Sequence, residues 1–251
     1  MRIALVLARR DLGALFGTPL GWVVMSAFLL IQGLFFWTAL RALSAPGAPP
    51  AEPLELLFGG NLHFWITSLG LVPLLAARPF ASERKNGILD AIFATPCSAA
   101  ALVCGRFIGL WAFYLALWAP TLAYAAFLSA QLGTPGAVDL GALAASYLGV
   151  AVVGAALVGV SLLVSTLSPS SMVSAALAVA SLLALYGVGM LEPYATPGSL
   201  LQSWLELASL PAALADFASG VIDVRHLVFP LGLAALTLFF AARALEWRRM
   251  R

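Results

Sequence analysis

Six stretches of this chain stay apolar for about 20 residues, the length a helix needs to cross the hydrocarbon core of a bilayer. They cover residues 21–43, 59–77, 106–132, 140–164, 172–191 and 227–245. No charged residue occurs between Asp139 and Glu192, which is too long for one span. That run breaks at Ser165-Thr166-Leu167-Ser168-Pro169-Ser170-Ser171, a polar turn around a helix-breaking proline. The pattern predicts an all-α polytopic membrane protein with six transmembrane helices.

The segments between spans have their own patterns. Residues 1–17 place Leu5, Ala8, Leu12, Leu15 and Phe16 at helical spacing beside Arg9, Arg10 and Asp11. This predicts a helix lying in the membrane interface. Residues 44–58 are rich in proline and alanine and predict irregular structure. Residues 192–226 carry Leu200, Leu201, Trp204 and Leu205 on one helical face but also Pro193, Pro197 and Pro211. Short interfacial or re-entrant helices fit that segment better than a span.

Composition narrows the class. The chain is 62% hydrophobic and 10% charged, with mean hydropathy +1.00, whereas soluble domains carry about 25% charged residues. A large soluble domain is excluded. The 20 residues after Gly21 exceed a signal-peptide core, so they read as a retained span. With the N-terminus inside, Arg2, Arg9, Arg10, Arg78, Arg84, Lys85, Arg106, Arg243, Arg248, Arg249 and Arg251 are internal, and Arg41 and Arg225 are external. This bias predicts that both ends face the cytoplasm. The basic residues sit at the edges of apolar segments, so no nucleic-acid surface is expected. Cys97 and Cys104 match neither a disulfide framework nor a metal motif.

Chemistry inside a membrane needs polar groups at depth. The candidates are Gln32, Thr67, Ser68, Thr121, Ser146, Ser161, Ser174 and Ser181, with His63 and His226 near the outer surface. Isolated hydroxyls in spans mostly serve helix packing. The scarcity of acids in the spans argues against proton or sodium coupling. The only lysine, Lys85, follows Ser82-Glu83-Arg84 rather than a glycine-rich loop. The chain therefore has no phosphate-binding loop of its own, and no catalytic residue, metal or cofactor is expected in it.

The most charged stretch is 78–96. Within it Ile88, Leu89, Ile92 and Phe93 form an apolar stripe on a short helix that Thr95-Pro96 ends. Such a helix can dock in a partner's groove or rest on lipid headgroups, and the pattern alone fits both.

The order Arg78, Phe80-Ala81, Glu83, Arg84-Lys85, Gly87, apolar helix, Thr95-Pro96 resembles the cytoplasmic loop between the second and third spans of ABC-2 type permeases. Ala8-Arg9-Arg10-Asp11-Leu12, followed by Phe16-Gly17-Thr18-Pro19-Leu20-Gly21-Trp22, resembles the interfacial helix and first span of that family. Gly105-Arg106-Phe107 resembles its Gly-basic-Phe start of the third span, where lysine is commoner. Ser219-Gly220-Val221-Ile222-Asp223-Val224-Arg225-His226 is similar to the gliding-motility-associated branch.

The resemblance implies a permease subunit of an ATP-driven exporter in the cell inner membrane. ATP and magnesium would belong to a separate ATPase subunit, and a second permease chain, identical or homologous, would complete the pair within the membrane lipid. It implies a coupling helix within 83–95, with Glu83, Arg84 and Lys85 as the charged flank and Gly87 permitting a tight turn. Ile88 and Leu89 would enter the ATPase groove, with Ile92 on the same stripe. Ile88 stands where the family often has threonine. Two other classes stay open: a membrane scaffold that anchors an ATPase or motility complex without transport, and an intramembrane enzyme using His63 or His226.

Overall fold

The computed structural model describes residues 2–43, 58, 62–77, 80, 97–132, 139–196 and 198–249, and no strand occurs among them. Helix α1 covers Arg2–Gly17 and α2 covers Pro19–Leu43; α3 covers Leu62–Ala76 and α4 covers Ala99–Trp118. A 3-10 turn at Ala119–Thr121 leads into α5, Leu122–Leu132. Then follow α6 (Leu140–Leu167), α7 (Ser171–Met190), α8 (Leu200–Ala208), α9 (Leu210–Ala218) and α10 (Val224–Arg249).

Local chemistry sets these boundaries. Asp139 caps α6, its Oδ1 accepting from the Gly141 amide at 2.8 Å. Ser170 caps α7 through the Val173 amide, and Asp223 takes the Arg225 amide ahead of α10. Each satisfies an amide that has no partner inside its helix. Between α1 and α2 the chain bends at Thr18, whose hydroxyl donates to the Leu15 carbonyl. Pro19 then opens α2, a position where its missing N–H costs nothing. Gly21 sits directly under the Leu15 carbonyl, which leaves no room for a side chain.

Five helical segments among the described residues are long and apolar enough to cross a membrane: 21–41, 99–128, 140–167, 171–190 and 224–249. The predicted span at 59–77 is found as the shorter α3, 15 residues with Pro73 inside. At 1.5 Å per residue it is about 22 Å long. It is largely enclosed, with Phe64, Trp65, Leu69, Val72 and Leu75 all buried.

The third span differs more from its sequence reading. It starts at Ala99, capped by the Ser98 hydroxyl, seven residues before the predicted start at Arg106. A charged residue reads as a span boundary, yet Arg106 lies two turns inside α4 and is fully buried. The same span is interrupted by the 3-10 turn, with Pro120 near its start.

Long-range bonds define the two ends of the bundle. At one end Arg249 donates to the Cys97 carbonyl before α4. Arg248 donates to the Leu167 carbonyl at the end of α6, and Ser165 donates to the Ala77 carbonyl after α3. Helix α1 lies against α4 at this end. At the other end Phe35 stacks on His63, and Gly220 lies against Ala142 at the start of α6. The described chain therefore begins and finishes at the same end.

Helix α6 is the hub. Gly149 meets the Phe217 side chain of α9, Gly154 meets the Tyr114 ring of α4, and Gly159 meets Ala234 and Thr237 of α10. Small residues let helices approach closely where no hydrophobic force drives them together. Helices α2, α7 and α10 turn Trp22, Leu30, Leu34, Leu177, Leu183, Leu236 and Phe239 outward.

Candidate functional site

The end that carries α1 gathers most of the charge. Along α1, Ala4 and Leu7 abut Gly105, while Ala8 and Asp11 abut Gly109 of α4. Phe16 closes the contact edge-on against Phe113, with ring centres 5.1 Å apart. The face used differs from the sequence reading in one respect: Leu5 is exposed with Ile3 and Val6, and Leu7 packs instead. Ala8 and Leu12 of that stripe pack as their spacing predicts, and only its first turn differs, where Ala4 and Leu7 rather than Leu5 meet Gly105.

Arg9 is exposed. Arg10 pairs with Asp11 at 3.0 Å, a surface pair worth about 0–1 kcal/mol. Deeper in the seam, the Arg106 guanidinium lies 4.5 Å from the Phe80 ring centre, over its face. Both side chains are fully buried. Such a contact contributes roughly 0.5–2 kcal/mol, more when desolvated. It fastens the segment after α3 to α4, directly beside the Gly105 contact with α1. Glu83, Arg84, Lys85, Gly87, Ile88, Leu89 and Ile92 lie outside the described residues. Their attachment point, Phe80 on one side and Cys97 on the other, is described.

At the opposite end a small pocket of about 20 Å³ is lined by Gln32, Phe36, Phe58, His63, Thr121 and Tyr124. That is room for about one water molecule. Tyr124 donates to the Leu29 carbonyl at 3.1 Å, and the Thr121 and Tyr147 hydroxyls share a bond of 2.6 Å. Beside Pro120 an apolar cleft of about 430 Å³ opens among Trp118, Leu122, Leu140, Leu143 and Tyr147.

Four of the remaining polar candidates are satisfied within their own helices, whereas the buried hydroxyls of Ser68 and Ser174 have no hydrogen-bond partner among the described residues. Ser146, Ser161 and Ser181 donate to carbonyls four residues back, and Thr67 does the same. This is how a hydroxyl is satisfied within a membrane helix. His226 Nδ1 lies 2.8 Å from Asp216 Oδ2, within ion-pair distance but outside hydrogen-bond geometry. No cluster of metal-ligating side chains occurs among the described residues.

The family model for ABC-2 family transporter proteins matches residues 62–206, more than half of the chain. The chain belongs to the ABC-2 transporter family. A comparison with curated proteins returned no match. The family is a membrane transport component that generally works with an ABC ATPase subunit. Its membership and the five apolar helices describe a multi-pass membrane protein, a permease subunit of an ABC transporter.

Within this ABC-2 permease, sequence reasoning missed two features of the charged end. A charged residue marks the edge of a span by hydropathy, but the apolar run Ala99-Ala100-Ala101-Leu102-Val103-Cys104 ahead of Arg106 is the signal that the helix begins earlier. Arg248 and Arg249 counted only toward the charge bias, whereas they hydrogen-bond carbonyls at 167 and 97 and tie α6, α10 and the start of α4 together.

Proposed function

We propose that this ABC-2 permease is the membrane-spanning half of an ATP-driven exporter in the cell inner membrane. In this reading the charged end of the bundle faces the cytoplasm and a separate ATPase subunit binds beneath it. The family match over 62–206 carries the proposal, because it includes the whole charged loop and Arg106. The arginine bias and the common end of α1, α10 and the loop's attachment support it.

The coupling step rests on rigidity. Residues 83–95 form the coupling helix, with Glu83, Arg84 and Lys85 flanking Gly87, and with Ile88, Leu89 and Ile92 docked in the ATPase. ATP binding closes the ATPase pair and moves the loop. The Phe80–Arg106 contact delivers that motion to α4 and to the α1 helix seated on it, with Arg9, Arg10 and Asp11 at the lipid interface. Two permease chains then part to open a path. ATP acts as a ligand that favours one of two states through differential contacts. Most of the buried hydroxyls are tied to their own helix backbone, so an amphipathic or lipid-linked substrate suits the path. Gliding motility is one process such a pump could serve.

The test is the double substitution Ile88→Asp with Leu89→Asp. The expected result is normal insertion with loss of ATPase co-purification. Normal co-purification and transport by that variant would overturn the assignment.

A further inference from the structure

Helices α4 and α6 are tied at one height and part at the next. Trp111 donates its indole N–H to the Ala151 carbonyl at 2.9 Å. One turn further along α4, from Leu115 onward, the two helices border the cleft of about 430 Å³ beside Pro120. Leu115, Trp118, Ala119 and Leu122 form one wall. Leu140, Leu143, Ala144 and Tyr147 form the other, with Val150 nearest the tie. The opening has a cause in the sequence. The 3-10 turn at Ala119–Thr121 interrupts the span, and Ala119 and Ala144 each offer a methyl group where their neighbours carry leucine side chains.

The cleft has the size of a small-molecule site, roughly 300–1,000 Å³. Its lining side chains offer no free hydrogen bond. The Tyr147 hydroxyl is engaged with that of Thr121 at 2.6 Å, and Thr121 also donates to the Trp118 carbonyl. The buried Trp118 Nε1 does not reach the cleft. An apolar space of this kind stays dry and takes hydrocarbon.

Its position says which hydrocarbon. The flanking segments 99–128 and 140–167 are both long and apolar enough to span, and Leu122 and Leu140 are exposed at the rim. The cleft is therefore continuous with the surface that meets lipid. From Leu140 to Val150 it runs about 15 Å along α6, at 1.5 Å per residue. That is half of a hydrocarbon core of about 30 Å, the depth of one leaflet, measured from the end of the bundle remote from α1. At the mouth stands Asp139, exposed at the cap of α6. It is the only charged residue between Arg106 and Glu192. A lone carboxylate attracts an ammonium and repels a headgroup of net negative charge.

We propose that the cleft seats one acyl chain of phosphatidylethanolamine from the leaflet remote from α1, with the headgroup ammonium over Asp139. The chain fills the gap beside the 3-10 turn and braces α5 against α6. The inference rests on the multi-pass membrane reading and is independent of ATP coupling.

The test uses the full chain in vesicles of phosphatidylethanolamine and phosphatidylglycerol, with a trace of phosphatidylethanolamine carrying a diazirine midway along one acyl chain. After illumination, peptide mass spectrometry should find adducts at Leu115, Leu122 and Leu143 several-fold more often than at Leu236 and Phe239, which α10 turns outward. Ala144→Phe and, from the opposite wall, Ala119→Leu should each remove most of the cleft adducts and leave those on α10. Equal labelling of cleft and α10 would mean annular lipid only. Labelling of α10 alone would mean that protein, such as a second copy of this chain, covers the cleft. Cleft adducts untouched by both substitutions would mean that the acyl chain lies elsewhere. Each of these three outcomes overturns the proposal.

Phosphatidylglycerol bearing the same diazirine should label the cleft several-fold less than the phosphatidylethanolamine probe. Asp139→Asn, which keeps a capping side chain, should bring the two probes level. Equal labelling of the native chain by both probes overturns the headgroup assignment. A ligand that binds only the folded state raises the unfolding midpoint. Phosphatidylethanolamine added to the detergent-solubilised chain should therefore raise the midpoint by several degrees more in the native chain than in Ala144→Phe, and an equal rise in both overturns the bracing role.

Discussion

The planar guanidinium of Arg106 stacks over the ring of Phe80 at 4.5 Å, with both side chains out of solvent. One residue opens the charged loop and the other lies inside a span, so the contact joins two segments of different character. Lysine keeps the charge but loses the flat face. Arg106→Lys should therefore lower the thermal unfolding midpoint by the equivalent of about 0.5–2 kcal/mol. Phe80→Ala should cost less in the Arg106→Lys background than in the native one. Additive losses in a double-mutant cycle would show that the stack contributes nothing.

The α1–α4 seam makes a paired prediction. A methyl group at Gly105 would stand 2.7 Å from the Ala4 carbonyl oxygen and 2.9 Å from Leu7 Cβ. Overpacking of this kind costs about 1–3 kcal/mol. Gly105→Ala should loosen α1 and speed trypsin cleavage after Arg9 and Arg10. At Gly13 nothing lies within 4 Å, and glycine inside a helix costs about 0.5–1 kcal/mol relative to alanine. Gly13→Ala should slow the same cleavage.

Tyr114 offers a gain of stability. Its hydroxyl is buried against Ser68 and Trp118 without a hydrogen bond of good geometry. A buried polar group left in that state costs about 1–3 kcal/mol. Tyr114→Phe should keep the ring contact with Gly154 and raise the unfolding midpoint. A lower midpoint would show that the hydroxyl is bonded.

Asp216 and His226 link α9 to α10 across 2.8 Å. A cycle of Asp216→Ala, His226→Ala and the double variant should give a coupling of roughly 0.5–3 kcal/mol. Amide exchange at 219–227 should rise in each single variant. Additivity within about 0.3 kcal/mol would show that the two side chains are only neighbours.

These sites differ in how far the sequence revealed them. The split between α6 and α7 was readable because Ser168, Pro169 and Ser170 supply a stop, a break and a cap in sequence order. The arginine bias is matched among the described residues to the extent that Arg106, Arg248 and Arg249 share one end of the bundle with α1. The start of α4 was missed, since hydropathy treats Arg106 as a border while Phe80, remote in sequence, shelters it. The packing face of α1 was readable at Ala8, Leu12, Leu15 and Phe16, which all pack on the bundle, but not at Leu5, which is exposed while Ala4 and Leu7 meet Gly105 of another helix. Of the predicted span 59–77, Gly59, Gly60 and Asn61 lie outside the described residues, and the helix described is Leu62–Ala76. The coupling segment 83–95 was legible as a motif, and its placement lies beyond the described residues.

The three glycines of α6 have a mechanical consequence. A rod gripped at three heights by partners on different sides cannot screw about its own axis without lifting all of them. Any working stroke must therefore tilt α4, α6, α9 and α10 as one block. Helices α2 and α7, with their broad side chains turned outward, stand outside that block.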